Sequence, residues 1–188
     1  MVGWRLGLFN SDGRFEDVDA CEIMPDAATL APLVSNGARE PGDSTPEGFL
    51  GLADDAATSG CKWSSVPAGV DRPFRTVRIH AATKQATTRQ TGPERAAEAL
   101  KKWHGNRVRR GSPITSVGIG EEGYRTTDKA TYVIVVARVE VFDIHAKFRI
   151  SNVVVDVSAR THDEPGEEEK AQVVALAKRV AVRLDALG

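Results

Sequence analysis

The chain lacks the marks of several large protein classes. No apolar run approaches the roughly 20 residues that a membrane-spanning helix needs. The first residues have neither the basic start nor the long apolar segment of a signal peptide. The formal charge of −1 gives no general attraction to nucleic acid or anionic membranes. What is present, 188 residues of which 41% are hydrophobic and 27% charged, is typical of one globular domain. The chain is therefore either cytoplasmic or separated from its targeting segment.

Cysteine is scarce as well, and its two copies allow two interpretations. Cys21 and Cys61 are separated by a polar stretch that contains Gly and Pro. A bridge between them would remove about 4 kcal/mol of unfolded-chain entropy for a loop of this length. Two unrelated buried thiols are the alternative that composition favours in a cytosolic protein. The residues alone leave both interpretations open.

No catalytic or metal-binding motif survives inspection. The four histidines lie far apart in sequence and include no i, i+4 pair, so no zinc site is predicted. Ser59 and Lys62 fit the S-x-x-K pattern of serine-acylating enzymes, but the partner motifs are absent and Lys62 falls in a predicted strand. The sequence therefore predicts no catalytic residue, no metal and no cofactor.

Residues 118–123 match G-x-G-x-x-G to the letter. A dinucleotide site needs a helix after this motif, whereas here a β-rich stretch follows and two carboxylates stand where negative charge would bind. A glycine-rich turn is the better interpretation. We treat this segment as a possible binding loop with the members Gly118, Gly120, Glu121, Glu122 and Tyr124.

One basic cluster surrounds Trp103 and His104. A patch of this kind can bind nucleic acid, a phosphorylated polymer or an anionic lipid surface. Cations near a helix C-terminus also complement the helix dipole, and charge runs of this size are commonly solvated faces. No nucleic acid partner is expected. The members of this possible anion patch are Lys101, Lys102, Arg107, Arg109 and Arg110.

Valine and isoleucine concentrate in residues 130–158, which predicts two neighbouring strands at the centre of a sheet. The first runs over residues 131–141 and the second over 148–157, with residues 143–147 between them. In the second strand the residues predicted to face inward are even-numbered up to Ile150 and odd-numbered from Val153. Ser151-Asn152 should therefore be a bulge or a break.

Helix signals stand on either side of these strands. A short helix begins near Pro25 and ends at Asn36-Gly37, and a capping box at Thr91 begins a helix that Gly105 ends. A long helix covers residues 165–187, and its predicted buried stripe is Val173, Leu176, Ala177, Val180, Leu184 and Leu187.

The remaining stretches complete the predicted fold. Residues 75–82 predict a strand, and residues 35–60 a surface loop with a helical turn near Pro46-Glu47. The expected class is α+β, a single domain with a twisted, mainly antiparallel sheet, helices packed mostly on one face and a long C-terminal helix. Residues 1–16 would be an N-terminal segment following a missing anchor, and residues 17–188 the domain.

The order of these features resembles the actinobacterial secreted lipoproteins of the DUF3558 type and related extracytoplasmic sensor-like domains. Cys21-Glu22-Ile23-Met24 precedes a short helix, and Cys61-Lys62-Trp63 follows a variable loop. Residues 117–122 are similar to the "V-x-G-L-G-D-E" segment of these proteins, and residues 148–155 to their "V-R-x-G-N-V-V-V" strand. The likeness covers about residues 17–187. Ser151 replaces a usual Gly, and no lipobox precedes Cys21.

The resemblance implies export, a Cys21–Cys61 disulfide packed against Trp63, and attachment to the outer face of the membrane through a missing N-terminal anchor. It brings no catalytic residues. The expected function is therefore a non-enzymatic, sensor-like domain that binds an unknown ligand or protein of the cell envelope, in a groove that includes residues 118–124. One alternative is an inhibitor, immunity or assembly factor that uses the basic cluster and residues 35–60. Another is a hydrolase that uses Asp with His80 or His145 in an unrecognised arrangement.

Overall fold

The computed structural model describes residues 11–41, 56–65, 75–134 and 137–188. Its elements in chain order are α1 (Ala27–Leu30), β1 (Ala38–Pro41), β2 (Ala56–Ser64), β3 (Thr76–Lys84), α2 (Gly92–Arg109), β4 (Ile114–Ser116), β5 (Glu122–Ile134), β6 (Ala137–Ile150), β7 (Val153–Thr161) and α3 (Glu167–Asp185).

The described strands form one sheet in the order β1-β2-β3-β7-β6-β5-β4, and every neighbouring pair is antiparallel. The long helix α3 closes the chain. The expected class, a single α+β domain with an antiparallel sheet and a long C-terminal helix, is confirmed.

The two faces of the sheet are covered by different helices. Val153, Val155 and Val157 of β7 point into the main core, which α1 and α3 complete. Val154 points the other way and packs with Ala96 and Leu100 of α2 in a smaller core. Two of the three described helices thus lie on one face, and α2 crosses the opposite face.

The central strands are divided differently from the prediction. β5 ends at Ile134, β6 begins at Ala137, and these two residues are paired. The prediction of one strand over residues 131–141 is therefore wrong, because its described residues belong to two long antiparallel strands. Residues 143–147 lie inside β6, where Asp143, His145 and Lys147 alternate with buried Ile144 and Ala146. Val133 is 69% exposed because the hairpin extends beyond the rest of the sheet.

The predicted bulge or break at Ser151-Asn152 is a two-residue hairpin turn between β6 and β7. Ile150 pairs with Val153 across it, and Ser151 has a positive φ of 51°. The inward-facing residues change from even-numbered to odd-numbered because the chain reverses direction at this turn. The Asn152 side chain is fully buried and bonds the N-terminal segment at Phe15, which itself packs in the main core.

The remaining predictions meet mixed outcomes. The capping box at Thr91 is present, but the predicted helix end at Gly105 is wrong because α2 continues to Arg109. An isolated Gly costs a helix only about 1 kcal/mol, and the contacts of α2 with the sheet continue beyond it. In α3 the predicted stripe is buried except for Leu187, which lies beyond the helix end and is 47% exposed.

The observed bounds of one strand and one loop also differ from the predicted bounds. The strand predicted over residues 75–82 is found as β3. The loop predicted over residues 35–60 is wrong in part, because β1 and the first half of β2 lie within it and pair with their neighbours. The helical turn predicted near Pro46-Glu47 falls outside the described residues.

Candidate functional site

Cys21 and Cys61 form a disulfide, with an S–S distance of 2.05 Å and Cα atoms 5.0 Å apart. Cys61 lies on the core face of β2, and Trp63 follows two residues later on that face, where its indole N–H donates to the Val34 carbonyl at 3.2 Å. The bond therefore ties the segment before α1 to the sheet. The pairing implied by the resemblance is confirmed, and it is compatible with an extracytoplasmic location.

A groove of about 800 Å³ lies between α2 and the beginning of β5. It brings together residues from both predicted sets: cations of the possible anion patch and Glu122 of the possible binding loop. The lining residues are Ala97, Glu98, Lys101, Lys102, His104, Gly105, Arg109 and Glu122.

Contacts between α2 and the sheet set the position of this groove. The rings of His104 and Tyr124 stack with centroids 4.3 Å apart, and the Tyr124 hydroxyl donates to Glu122 at 2.7 Å. This hydrogen bond, together with burial, raises the pKa of Tyr124. Arg107 forms an ion pair with Asp128 and lies over the Trp103 ring at 5.5 Å. The last two turns of α2 are thus fixed to β5 through both a ring contact and a charge pair.

The possible anion patch contains one residue that forms an ion pair within the protein and four exposed residues that form no ion pair with the described residues. Arg107 is bound to Asp128, as described above. The other four residues form no ion pair with any part of the chain that the structure describes, and Arg109 donates a hydrogen bond to the side-chain oxygen of Asn106. All four are exposed: Lys101, Lys102, Arg109 and Arg110. Within the groove itself, three cations face two carboxylates, so the lining carries a small positive excess.

The predicted binding loop also divides. Tyr124 and Glu122 lie at the groove, but Gly120 and Glu121 serve the β6–β7 turn instead. The Glu121 carboxylate accepts from the Ser151 N–H at 2.6 Å and pairs with Arg149 at 2.6 Å. Gly120 has φ +61°, and a Cβ there would overlap the Arg149 carbonyl oxygen. Gly118 faces open space.

A charged cluster under α2 was missed by sequence reasoning. His145 of β6 lies between two carboxylates, with Nδ1 3.1 Å from Asp156 and Nε2 3.5 Å from Asp128. Lys147 reaches the second oxygen of Asp156 at 3.4 Å and lies over the Trp103 ring at 5.2 Å. The strict alternation of polar and apolar residues in β6 is the signal that would have placed His145 and Lys147 on one face.

The members of this cluster hold one another in their charged forms. Burial opposes ionisation of Asp156, yet His145 and Lys147 keep the pKa of its carboxyl well below the ordinary value. Burial likewise opposes protonation of His145, but the carboxylates of Asp156, Asp128 and Asp143 raise the pKa of its imidazole above the ordinary value. The carboxylates on both sides of the ring therefore favour the protonated form of the His145 imidazole.

This arrangement bears on the hydrolase alternative, because it brings His145 next to a carboxylate. Both ring nitrogens face acidic groups, so neither is directed at a nucleophile. Ser158 stands opposite His145 in the β6–β7 register but makes no hydrogen bond to it. His80 stands opposite Asp156 in the β3–β7 register. The geometry is that of a structural ion cluster.

The described residues contain neither a membrane-spanning helix nor a cluster of metal ligands. None of their helices is long and apolar enough to cross a bilayer. No group of three or more His, Cys, Asp or Glu residues among them is arranged to hold a metal ion.

Comparisons with known proteins add little. No protein-family model matches the chain, and no curated protein matches it. The crystal structure of a protein from Bacteroides thetaiotaomicron VPI-5482 is similar over 76% of this chain, with 14% identity and a TM-score of 0.41. The match covers 41% of that protein, so the chain spans less than half of its length. At these values neither fold nor function is inferred from the likeness.

Proposed function

We propose that this chain is a non-enzymatic, sensor-like binding domain of the cell envelope, tethered to the membrane like the DUF3558-type lipoproteins that it resembles. Its ligand site is the groove between α2 and β5. The observation that carries the proposal is the meeting of two predicted sets, Lys101, Lys102 and Arg109 with Glu122, in one groove.

The dimensions and charge of the groove support binding of a ligand. Small-molecule sites commonly enclose about 300–1,000 Å³, and this groove has about 800 Å³. The cations at its border have no ion-pair partner in the described residues, so a ligand anion does not have to displace one. Glu98 and Glu122 are already engaged by Gln90 and Tyr124, which lowers their repulsion of that anion. The favoured ligand is therefore one that carries negative charge.

Two further observations support the rest of the proposal. A disulfide persists in oxidising compartments, which favours the extracytoplasmic side of the membrane. The imidazole of His145 is occupied on both nitrogens, which argues against its use as a general base.

The proposal is tested by titrating isotope-labelled protein with citrate, a tricarboxylate probe, and following backbone amide shifts by NMR. Saturable shifts are expected at Lys101, Lys102, Arg109 and Glu122. The double variant K101Q/R109Q should weaken binding at least fivefold. The matched control is K178Q, which removes one exposed cation from α3 on the opposite face of the sheet. Shifts that do not saturate, or that persist in K101Q/R109Q, would contradict the assignment of the site.

A second candidate, a protein-interaction factor, is favoured by the end of the β5–β6 hairpin. Tyr132 is 40% exposed and Val133 69% exposed there, and residues 137–141 pair with β5 while the β7 partner begins opposite Phe142. An edge that has no partner strand among the described residues, and that carries exposed apolar side chains, can add a strand from another chain. Stoichiometric recovery of one envelope protein, lost in V133D and retained in K101Q/R109Q, would favour this candidate over the groove.

A further inference from the structure

We infer that the ligand of the α2 groove is one segment of a linear polyanion, a glycan or polyol chain with carboxylates or phosphates at intervals, which lies along the outer face of α2. The inference rests on the proposed function, because it names the ligand class for that same groove and extends the site beyond it.

The cations of α2 form a regular stripe. Arg95, Lys102 and Arg109 recur every seven residues, which is two helical turns. At 1.5 Å of rise per residue, successive members stand about 10 Å apart along the axis and the stripe spans about 21 Å. A single carboxylate or phosphate reaches one member of such a stripe. A chain of them reaches all three.

A second cavity extends the groove along this stripe. It has a volume of about 250 Å³ and lies where the N-terminal half of α2 meets the end of β3. Its lining residues are Lys84, Gln90, Arg95, Glu98, Ala99 and Lys102. Glu98 and Lys102 line both cavities, so a ligand that crosses these two residues on the outer face of α2 reaches both cavities. We call this path the trough; it has cations at both ends, and a compact ligand covers only one part of it.

The residues between the cations indicate the spacing of the ligand's charges. Glu98 lies one turn after Arg95 and one turn before Lys102, in the middle of the trough. A polymer with an anion on every short unit would place negative charge against this carboxylate. A polymer whose charges are separated by a neutral unit avoids that repulsion, because like charges in contact cost binding free energy.

The aromatic residues argue against nucleic acid. Single-stranded nucleic acid binding uses exposed aromatic rings on which bases stack. Trp103 instead faces the sheet between Arg107 and Lys147, and the Tyr124 ring is paired with His104. The stripe itself carries charge without a stacking platform. Its partner is therefore a polymer of sugars or polyols.

The test measures fluorescence anisotropy of end-labelled oligomers on the full chain at about 0.1 M salt. Hyaluronan oligosaccharides carry a carboxylate on alternate sugars and match the proposed spacing, whereas glycerol phosphate oligomers carry an anion on every short unit. Tighter binding of the hyaluronan oligosaccharides supports the inference, and equal or tighter binding of the glycerol phosphate oligomers would overturn the proposed charge spacing. A hexasaccharide, which carries one carboxylate for each of the three cations, should bind about tenfold more tightly than a disaccharide, which carries one carboxylate.

Variants separate the two cavities. K101Q/R109Q should weaken both oligomer lengths, whereas R95Q should weaken only the longer one, and K178Q should change neither. Because Arg95 also donates to the Gln85 carbonyl at 2.8 Å, the wild-type protein provides a second readout. At equal fractional saturation, the amides of Gln90 and Arg95 should shift in the NMR spectrum with the hexasaccharide and shift much less with the disaccharide.

Failure of this inference is distinguishable from failure of the proposed function. Equal affinity for short and long oligomers, with shifts confined to the larger groove, would overturn the polymer while the groove stands. Binding of citrate without binding of any oligomer would also overturn the polymer ligand while the groove remains the proposed site. Tighter binding of single-stranded oligothymidylate than of either oligomer would overturn the choice of sugars or polyols.

Discussion

His145 and Asp156 face each other across two adjacent strands, with the imidazole Nδ1 3.1 Å from the carboxylate Oδ1. Lys147 approaches the other oxygen of Asp156, and Asp128 approaches the other nitrogen of His145. Through Arg107 this chain of charges reaches α2, the helix that carries the proposed ligand site. The ion cluster is therefore joined by an ion pair to the helix of the proposed site.

The first prediction concerns pH. The folded protein raises the pKa of His145 above its ordinary 6.5, so the stabilisation from its proton is complete below pH 6.5 and is lost as pH rises through the folded pKa. It lowers the pKa of Asp156 from its ordinary 3.8, so that contribution is present above pH 3.8 and is lost as pH falls through the lower folded value. The cluster should stabilise the fold most between these limits.

Urea denaturation between pH 5 and 9 tests the predicted direction in which the free energy of unfolding changes with pH. The free energy of unfolding should fall as pH rises above 6.5, by about 1.4 kcal/mol for each pKa unit by which His145 is raised. In H145Q this fall should disappear, leaving the smaller contributions of other groups. Stability that rises over this range in the wild-type protein would contradict the assignment of charge to His145.

The second prediction concerns Asp156 itself. D156N removes the carboxylate that neutralises two partly buried cations, and breaking a buried pair in this way costs about 3 kcal/mol. The pKa of His145, followed by NMR of its ring protons, should fall in this variant. The matched control is E140Q, which breaks the cross-strand pair of Glu140 with Lys129, where both side chains are 53% exposed. That change should cost less than about 0.5 kcal/mol, and equal losses in both variants would argue against the buried cluster.

The third prediction concerns Asn152. Its amide donates to the carbonyl of Phe15 at 2.7 Å and to that of Lys84 at 3.1 Å, and its oxygen accepts from the Phe15 N–H at 3.1 Å. N152A leaves these buried backbone groups without the partner, at a cost of about 3 kcal/mol. Hydrogen exchange should show lost protection at Phe15. S151A is the control, because its hydroxyl accepts one exposed hydrogen bond and its loss should matter little.

The fourth prediction separates two glycines of the same motif. G120A should destabilise the fold by about 2 kcal/mol, because φ is +61° there and a methyl group would overlap the Arg149 carbonyl oxygen. G118A should be close to neutral, since nothing lies within 4 Å of its added methyl. Thermal unfolding of the two variants checks the difference. Equal effects would mean that the turn is not held as described.

Local patterns in the sequence predicted much of the fold. The capping box located the beginning of α2, and the apolar stripe located α3, because both signals depend on residues within a few turns of one another. The division of residues 131–141 between two antiparallel strands was missed, because an apolar, β-branched run carries no turn signal. The sequence analysis places residues 143–147 between two strands because Asp143, His145 and Lys147 are polar. Their alternation with Ile144 and Ala146 is nevertheless that of a strand.

The candidate site was less accessible to sequence reasoning. The two predicted sets were correct as groups of residues, but their meeting depends on how α2 crosses the sheet. The ion cluster requires the registers of β5, β6 and β7 together, which place Asp128, His145 and Asp156 on one face. No local pattern specifies three registers at once, so Arg107 was assigned to the anion patch when its charge is used by Asp128.

The Cys21–Cys61 bond is the observation on which the extracytoplasmic proposal depends, and it can be tested directly in protein isolated from its native source. The protein is alkylated under denaturing conditions, with and without prior reduction, and its intact mass is measured. The account predicts no alkyl groups before reduction and two after it. Two alkyl groups without reduction would show free thiols, and would contradict the proposal that this domain acts outside the cytoplasm.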